Sequence, residues 1–222
     1  MPDGARTAIL GRLRAVAGPT ASGRKDAVPD LLPEKYSSSS SSDRVLRFRR
    51  CMEAARTEFL EATEAAWPEK LNGFLLAEGL RRVAFPPATD AGRRLTAACP
   101  AGGDVTLVPY DRPVEEMKDA LFSEIDAGFT TARGAIAETG SLVLWPSPEE
   151  PRLLSLVPPI HIALLDRRTI RDTFEDVLRE ERWAEGIPPN ALLISGPSKT
   201  ADIEQTLAYG VHGPKRLVVV LV

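Results

Sequence analysis

The 222-residue chain is expected to adopt an α/β fold built on a mainly parallel sheet, and three features carry that expectation. Short, near-continuous Val/Ile/Leu runs recur at residues 82–85, 105–108, 141–145, 160–165, 191–195 and 216–222. Strands apolar at every position, rather than at every second one, are those covered on both faces, as parallel strands are. Helix-like stretches at 91–98, 169–184 and 201–209 interrupt them, and strand–helix alternation gives a layered sheet.

From the start of the chain, Ile9, Leu10, Leu13 and Val16 follow helical spacing and predict a short amphipathic helix. Gly18, Pro19, Gly23, Pro29 and Pro33 then break regular structure, and the run Ser37–Ser42 offers nothing to bury. Residues 1–42 are therefore read as a helix with a flexible Ser-rich tether, and 43–222 as the α/β domain. Asp43 is the expected cap of a long helix. Along it Val45, Phe48, Met52, Ala55, Phe59, Ala62 and Ala66 form one apolar stripe, with Arg49 and Glu53 placed for an i,i+4 pair. Packing onto the chain's own domain is the favoured use of that stripe. The closing run Leu217–Val222 has no polar tail and predicts a central strand.

A hydrophobic fraction of 43% and a charged fraction of 27% are those of a water-soluble globular protein. A chain of this length hides roughly 70–75% of its unfolded surface, enough for a core without staples. The net charge of −3 is too small to argue for nucleic acid or an anionic membrane. Residues 1–50 nevertheless carry 10 Lys and Arg against 5 Asp and Glu. Arg47, Arg49 and Arg50 have no aromatic residues interleaved for base stacking, which favours a solvated helix face over RNA contact. No run is apolar for 18 residues, and none resembles a signal peptide, so a cytoplasmic protein without a membrane span is expected. Cys51 and Cys99 stand alone. Two thiols make no disulfide framework and fall short of the four thiolates of a Cys-ligated iron–sulfur cluster, so no cofactor is expected on this chain by itself. No metal-ligand spacing is present either.

Three loops hold the residues suited to chemistry, and ligands in open α/β sheets sit beyond the carboxyl ends of the strands. The first is Ala135-Ile136-Ala137-Glu138-Thr139-Gly140-Ser141, where Glu138 is a candidate base or nucleophile in a turn of small residues. A carboxylate that only holds the turn together is the competing reading. The second is Ser195-Gly196-Pro197-Ser198-Lys199-Thr200-Ala201-Asp202-Ile203-Glu204, read as a strand end that opens a helix. Free helix N–H groups, the hydroxyls of Ser198 and Thr200, and Lys199 would hold a phosphate or carboxylate, or Thr200 and Asp202 would simply cap the helix. The glycine spacing of a phosphate-binding loop is absent, as is that of a dinucleotide fold. The third is Gly210-Val211-His212-Gly213-Pro214, which puts His212 one short element away from the Ser198–Thr200 turn. The other histidine, His161, opens an apolar strand and reads as a hydrogen-bonded, partly buried residue.

These three segments, in this order and spacing, closely resemble the lactate utilization protein C family of the LUD-domain superfamily, with the likeness most secure over residues 84–222. The resemblance implies a three-layer α/β/α domain like the NagB/RpiA/CoA-transferase group. It implies a component of L-lactate oxidation to pyruvate that works with two partner proteins carrying iron–sulfur clusters. Glu138 and His212 would be the catalytic pair. Thr139, Gly140, Ser195, Gly196, Ser198, Lys199, Thr200 and Asp202 would bind a small anionic metabolite. A non-catalytic assembly module for those partners is the alternative, as is an independent acyl-, CoA- or phosphate-handling enzyme of the same fold.

Overall fold

The computed structural model describes Thr7, Gly11, Arg12 and residues 40–183, 185–186, 188–201, 207–210 and 212–222. The chain divides into two compact units, Met1–Lys35 and Tyr36–Val222. Of the first, Thr7, Gly11 and Arg12 are described, all three helical; the rest of the expected helix over 9–16, the tether up to residue 39, and Asp202 lie outside the described residues.

In the second unit, helix α1 (Ser41–Ala54) is capped by Ser40 rather than by Asp43. The Ser40 hydroxyl accepts the Asp43 N–H at 3.1 Å while the Asp43 carboxylate accepts the Ser40 N–H at 3.2 Å, a reciprocal capping box. The last serines of the run are thus the start of a helix. The long helix expected to reach Ala66 stops at Ala54, because Arg56 takes the left-handed conformation (φ 68°) and Glu58–Glu61 becomes strand β1. The expected Arg49–Glu53 ion pair is present at 2.6 Å. The stripe serves the domain's own core, with Phe48 and Met52 fully buried.

From β1 the chain continues through α2 (Trp67–Ala77), β2 (Arg82–Phe85), α3 (Asp90–Ala98), β3 (Thr106–Pro109), α4 (Val114–Ser123) and β4 (Ala127–Thr131). Then come β5 (Gly134–Ile136), β6 (Ser141–Leu144), α5 (Leu153–Leu156), β7 (Ile160–Leu165), a 3₁₀ turn at Arg167–Thr169 and β8 (Ile170–Arg171). The chain closes with α6 (Phe174–Glu180), β9 (Leu192–Ile194), β10 (Lys199–Ala201), β11 (Leu207–Tyr209) and β12 (Arg216–Leu221). The main sheet has the order β1–β12–β7–β4–β2–β3 with every pairing parallel. The closing strand is interior, as its Leu217–Leu221 run requires.

That sheet is covered on both faces. On one, Val218, Val220, Ile160, Ile162, Phe129 and Val83 pack under α2 and α3, with Trp67, Leu71, Leu75 and Leu95 fully buried. Trp67 stacks on Phe129 at 5.6 Å. On the other, Leu217, Val219, Leu221, Ala163 and Leu165 meet Phe48 and Met52 of α1 together with Ala135, Leu142, Leu144 and Ile170. Those last four come from a second sheet of order β8–β5–β6–β9. Ala84 on β2 meets Met117 and Leu121 of α4 and Leu154 of α5. The result is the expected α/β layering, with one outer layer part helix and part sheet.

Two expected helices are corrected. Over 169–184 the helix is only α6, because Thr173 and Asp176 form a capping box that starts it there and β8 precedes it. Over 201–209, β10 and β11 pair antiparallel, Lys199 facing Tyr209 and Ala201 facing Leu207. The apolar runs at 141–145 and 191–195 belong to the second sheet and pair antiparallel; Leu193 is about half exposed.

Two residues report on how tightly this core is built. Gly128 on β4 has no room for a Cβ, which would meet the carbonyl oxygen of Leu154. Gly128→Ala is expected to cost at least about 1–3 kcal/mol, the usual penalty for forcing atoms into a packed core, and urea unfolding measures it. His161 on β7 is fully buried, its Nε2 at 2.8 Å from the Thr130 hydroxyl. Burial holds its pKa down, from 6.5 to about 3. Between those values the unfolded chain binds a proton that the native chain refuses, so stability rises with pH through this window and is lost as pH falls. The slope from this residue approaches about 1.4 kcal/mol per pH unit. Unfolding free energies measured from pH 7 to pH 4 should therefore fall less steeply in His161→Gln than in the native chain.

Candidate functional site

The first segment of interest is the turn between β5 and β6. Ala137 N–H donates to Arg171 O at 2.8 Å and Glu138 N–H to Asp172 O at 3.0 Å, so the turn begins as an extension of the β5–β8 pairing. Gly140 is buried at φ 61°, and a Cβ on it would strike Cys51 of α1. Only glycine meets both demands. With Gly140 pressed on the helix, Glu138 and Thr139 are left exposed.

Hydroxyls join this turn to the second segment. Thr139 Oγ1 lies 2.7 Å from Ser141 Oγ, which lies 2.6 Å from Ser195 Oγ. Ser141 is buried and Ser195 exposed, so the chain of three runs from solvent into the protein and back out. Gly196, at φ 136°, lies against Ala55, whose Cβ would be 2.9 Å from an added Cβ. The second segment is tied in turn to the third: Ser198 N–H donates to Pro214 O at 2.8 Å, and Gly210 N–H donates to Ser198 O at 2.9 Å. Lys199 and His212 are both exposed.

The fold thus sets the three segments side by side, although 54 residues separate Ser141 from Ser195. What it does not provide is a helix start at Ser198–Thr200. Lys199–Ala201 is β10, so its N–H groups are not the free, aligned donors of a helix N-terminus. An anion here would depend on hydroxyls and Lys199 instead. Asp202 lies outside the described residues.

Near the first turn, one arginine escaped the sequence reading and another is read there only as part of a solvated helix face. Arg44 and Arg47 of α1 both engage Asp172, the first at 3.7 Å, and it is Asp172 whose carbonyl receives Glu138 N–H. The helical spacing of Arg47 and Cys51 was the available signal: it puts Arg47 one turn from the helix surface on which Gly140 rests.

A larger hollow also escaped that reading. A cavity of about 590 Å³ is lined by Thr131, Ala132, Arg133, Trp145, Thr169 and Glu181. It opens beyond the carboxyl end of β4, at the end of the β5–β6 hairpin opposite the Glu138 turn. Its lining comes from four stretches of sequence, and only Trp145, which follows an apolar strand, hinted at it.

Among the described residues, no group of three or more His, Cys, Asp or Glu side chains is placed to hold a metal ion. Likewise no helix of the described residues is long and apolar enough to cross a membrane.

Comparison with known proteins gives consistent matches. The LUD domain model matches residues 45–222. Uncharacterized protein NMB1437 of Neisseria meningitidis serogroup B is 40% identical over 184 residues, covering 82% of this chain and 78% of that protein. Lactate utilization protein C of an Exiguobacterium species is 30% identical over 193 residues, 85% of this chain and 82% of its own. The protein of that name from Bacillus subtilis is 34% identical over about half of each chain. Among solved structures, a DUF162 family protein from Deinococcus radiodurans aligns with a TM-score of 0.62 at 22% identity, covering 83% of this chain and 99% of that one; this likeness supports the fold. With a family match that spans the α/β unit from α1 to β12, the chain belongs to the LUD domain family.

Proposed function

We propose that this protein is a component of an L-lactate utilization system, in which it binds a small anionic metabolite and works with two iron–sulfur partner proteins. The observation that carries this reading is the 30% identity to a lactate utilization protein C across 85% of the chain. The junction of the three segments supports it: a row of three hydroxyls, with Glu138, Lys199 and His212 exposed on the segments that hydrogen bonds join there, suits a hydroxy- or keto-carboxylate. Lys199 and the hydroxyls of Thr139 and Ser195 would hold the carboxylate. As the lactate hydroxyl becomes the pyruvate carbonyl two protons are released with the two electrons: Glu138 or His212 would take the hydroxyl proton, and the Cα proton would pass to the other of the two or to water. The two electrons of that oxidation would leave to clusters on the partners, since the two cysteines of this chain, Cys51 exposed in part and Cys99 buried, are too few to ligate one.

The reading is tested in two steps. L-lactate or pyruvate added to the purified chain should raise its melting temperature, since a ligand at 100 times its Kd stabilises by about 2.7 kcal/mol. In the reconstituted three-protein system, Glu138→Gln or His212→Gln should cut lactate-dependent electron transfer at least tenfold, the usual scale of general acid–base catalysis being about 100-fold or more. Both side chains are exposed, so neither substitution should shift the melting temperature. Full electron transfer in both variants would remove the proton-transfer role from this junction.

A further inference from the structure

We infer that the hollow beyond β4 is a second binding site, one that takes a ring-bearing monocarboxylate larger than lactate, its carboxylate on Arg133 and its ring beside Trp145. Position is the first support. Strand order reverses beside β4: β3 lies on one side of β2, while β4, β7 and β12 lie on the other. Crevices at the carboxyl ends of strands near such a reversal are where open α/β sheets receive ligands.

Size is the second. A volume of about 590 Å³ falls within the range of roughly 300–1,000 Å³ typical of metabolite pockets. Lactate or pyruvate would leave most of it to water.

The donors and charges select the ligand. Arg133 Nε donates to Glu181 at 2.6 Å, and its guanidinium lies 5.3 Å from the centre of the Trp145 ring. The carboxylate and the indole orient the guanidinium, and its terminal nitrogens bind no other described residue. Two parallel N–H groups in a fixed plane match a carboxylate. The two lining hydroxyls are committed elsewhere: Thr131 Oγ1 donates to Glu150 at 2.7 Å and Thr169 Oγ1 to Asp166 O at 2.7 Å. Among the described lining side chains, the donors left for an oxyanion are therefore Arg133 and the indole N–H of Trp145. Among the described residues, one cation and one carboxylate, Arg133 and Glu181, line the hollow, so it tolerates a single added negative charge better than a phosphate dianion. Trp145 is braced edge-on by Trp183 at 5.8 Å, and Trp183 by Phe174 at 5.8 Å. This aromatic wall gives a flat ring a rigid surface.

The test titrates the full chain with benzoate, benzamide, L-lactate and AMP, read by tryptophan fluorescence and calorimetry. Benzoate should bind saturably and change the emission, with benzamide and L-lactate each at least tenfold weaker. Arg133→Gln should weaken benzoate at least tenfold, and Trp145→Leu should bring benzoate down to the level of L-lactate. Arg133 is more than half exposed, so the melting temperature of Arg133→Gln should stay near that of the native chain and mark the loss as local. Benzoate binding unchanged in Arg133→Gln, or no saturable binding at all, would overturn the site. AMP binding more tightly than benzoate would overturn the carboxylate assignment, and L-lactate binding as tightly as benzoate would overturn the ring. The Glu138→Gln chain should bind benzoate as the native chain does, so this inference stands or falls apart from the lactate reading.

Discussion

The constraint on which the architecture depends is the two-sided burial of β12. Leu217, Val219 and Leu221 point to one face of the main sheet and Val218 and Val220 to the other, and all five are almost fully excluded from water. At about 25 cal/mol per Å² of apolar surface, a strand of this composition is stable only with cover on both sides. Helices α2 and α3 supply one side. On the other, α1 contributes Phe48 and Met52, and the remaining area is closed by β5, β6 and β8. The second sheet is therefore part of the core. Its turns come to rest on α1 as a consequence: Gly140 against Cys51, Gly196 against Ala55.

This arrangement explains what the sequence revealed and what it hid. The strands at 82–85, 160–165 and 216–221 were legible because two-sided burial writes itself as an unbroken apolar run. Strands of two or three residues, such as β5, β8 and β10, are too short for any period to register. The stripe from Val45 to Ala66 misled for a more interesting reason. Phe59 does meet Phe48, ring to ring at 6.0 Å, but it does so from a strand that folds back after Arg56. Helical spacing reported the right cluster and the wrong backbone. At the site, side-by-side placement of the Glu138 turn, Ser195–Ser198 and Gly210–Pro214 was legible from their chemistry. The strand at Lys199 was not, because Ser-Lys-Thr-Ala-Asp reads equally well as a helix start when nothing local reveals the pairing with Tyr209.

The β5–β6 hairpin links the two candidate sites. Its turn carries Glu138 and Gly140, and its open end carries Arg133 and Trp145, with Arg133 N–H donating to Val143 O at 2.8 Å across the ladder. Five to seven backbone positions thus separate an exposed carboxylate, hydroxyl and helix contact from an arginine that lies over an indole. Gly134 draws this hairpin close to the 3₁₀ turn, since an added Cβ would lie 2.8 Å from Thr169 O. Thr169 forms one wall of the hollow, so the close approach at Gly134 helps set the hollow's width. A rigid strand pair is a better support for both constellations than a loop would be.

What fixes α1, and through it the Glu138 turn, is the edge strand β1. Three residues join the two elements, so α1 cannot shift without β1. An edge strand is held by pairing on one side only. Here Arg216 of β12 grips Glu58 with two hydrogen bonds of 2.8 Å and reaches Glu78 at 2.9 Å. At the other end, Glu61 takes Arg49 of α1 at 2.7 Å and Arg167 at 3.1 Å. Isolated surface pairs contribute little, but these share partners and bracket both ends of a four-residue strand. Arg49 closes the circuit, since it also pairs with Glu53 and lies 5.0 Å over Phe59. Slippage of β1 by one residue would turn Phe59 out of the core and break both clamps at once. The position of Cys51 and Ala55, and hence the seat of the two glycine turns, is set by a register that charge and burial specify together.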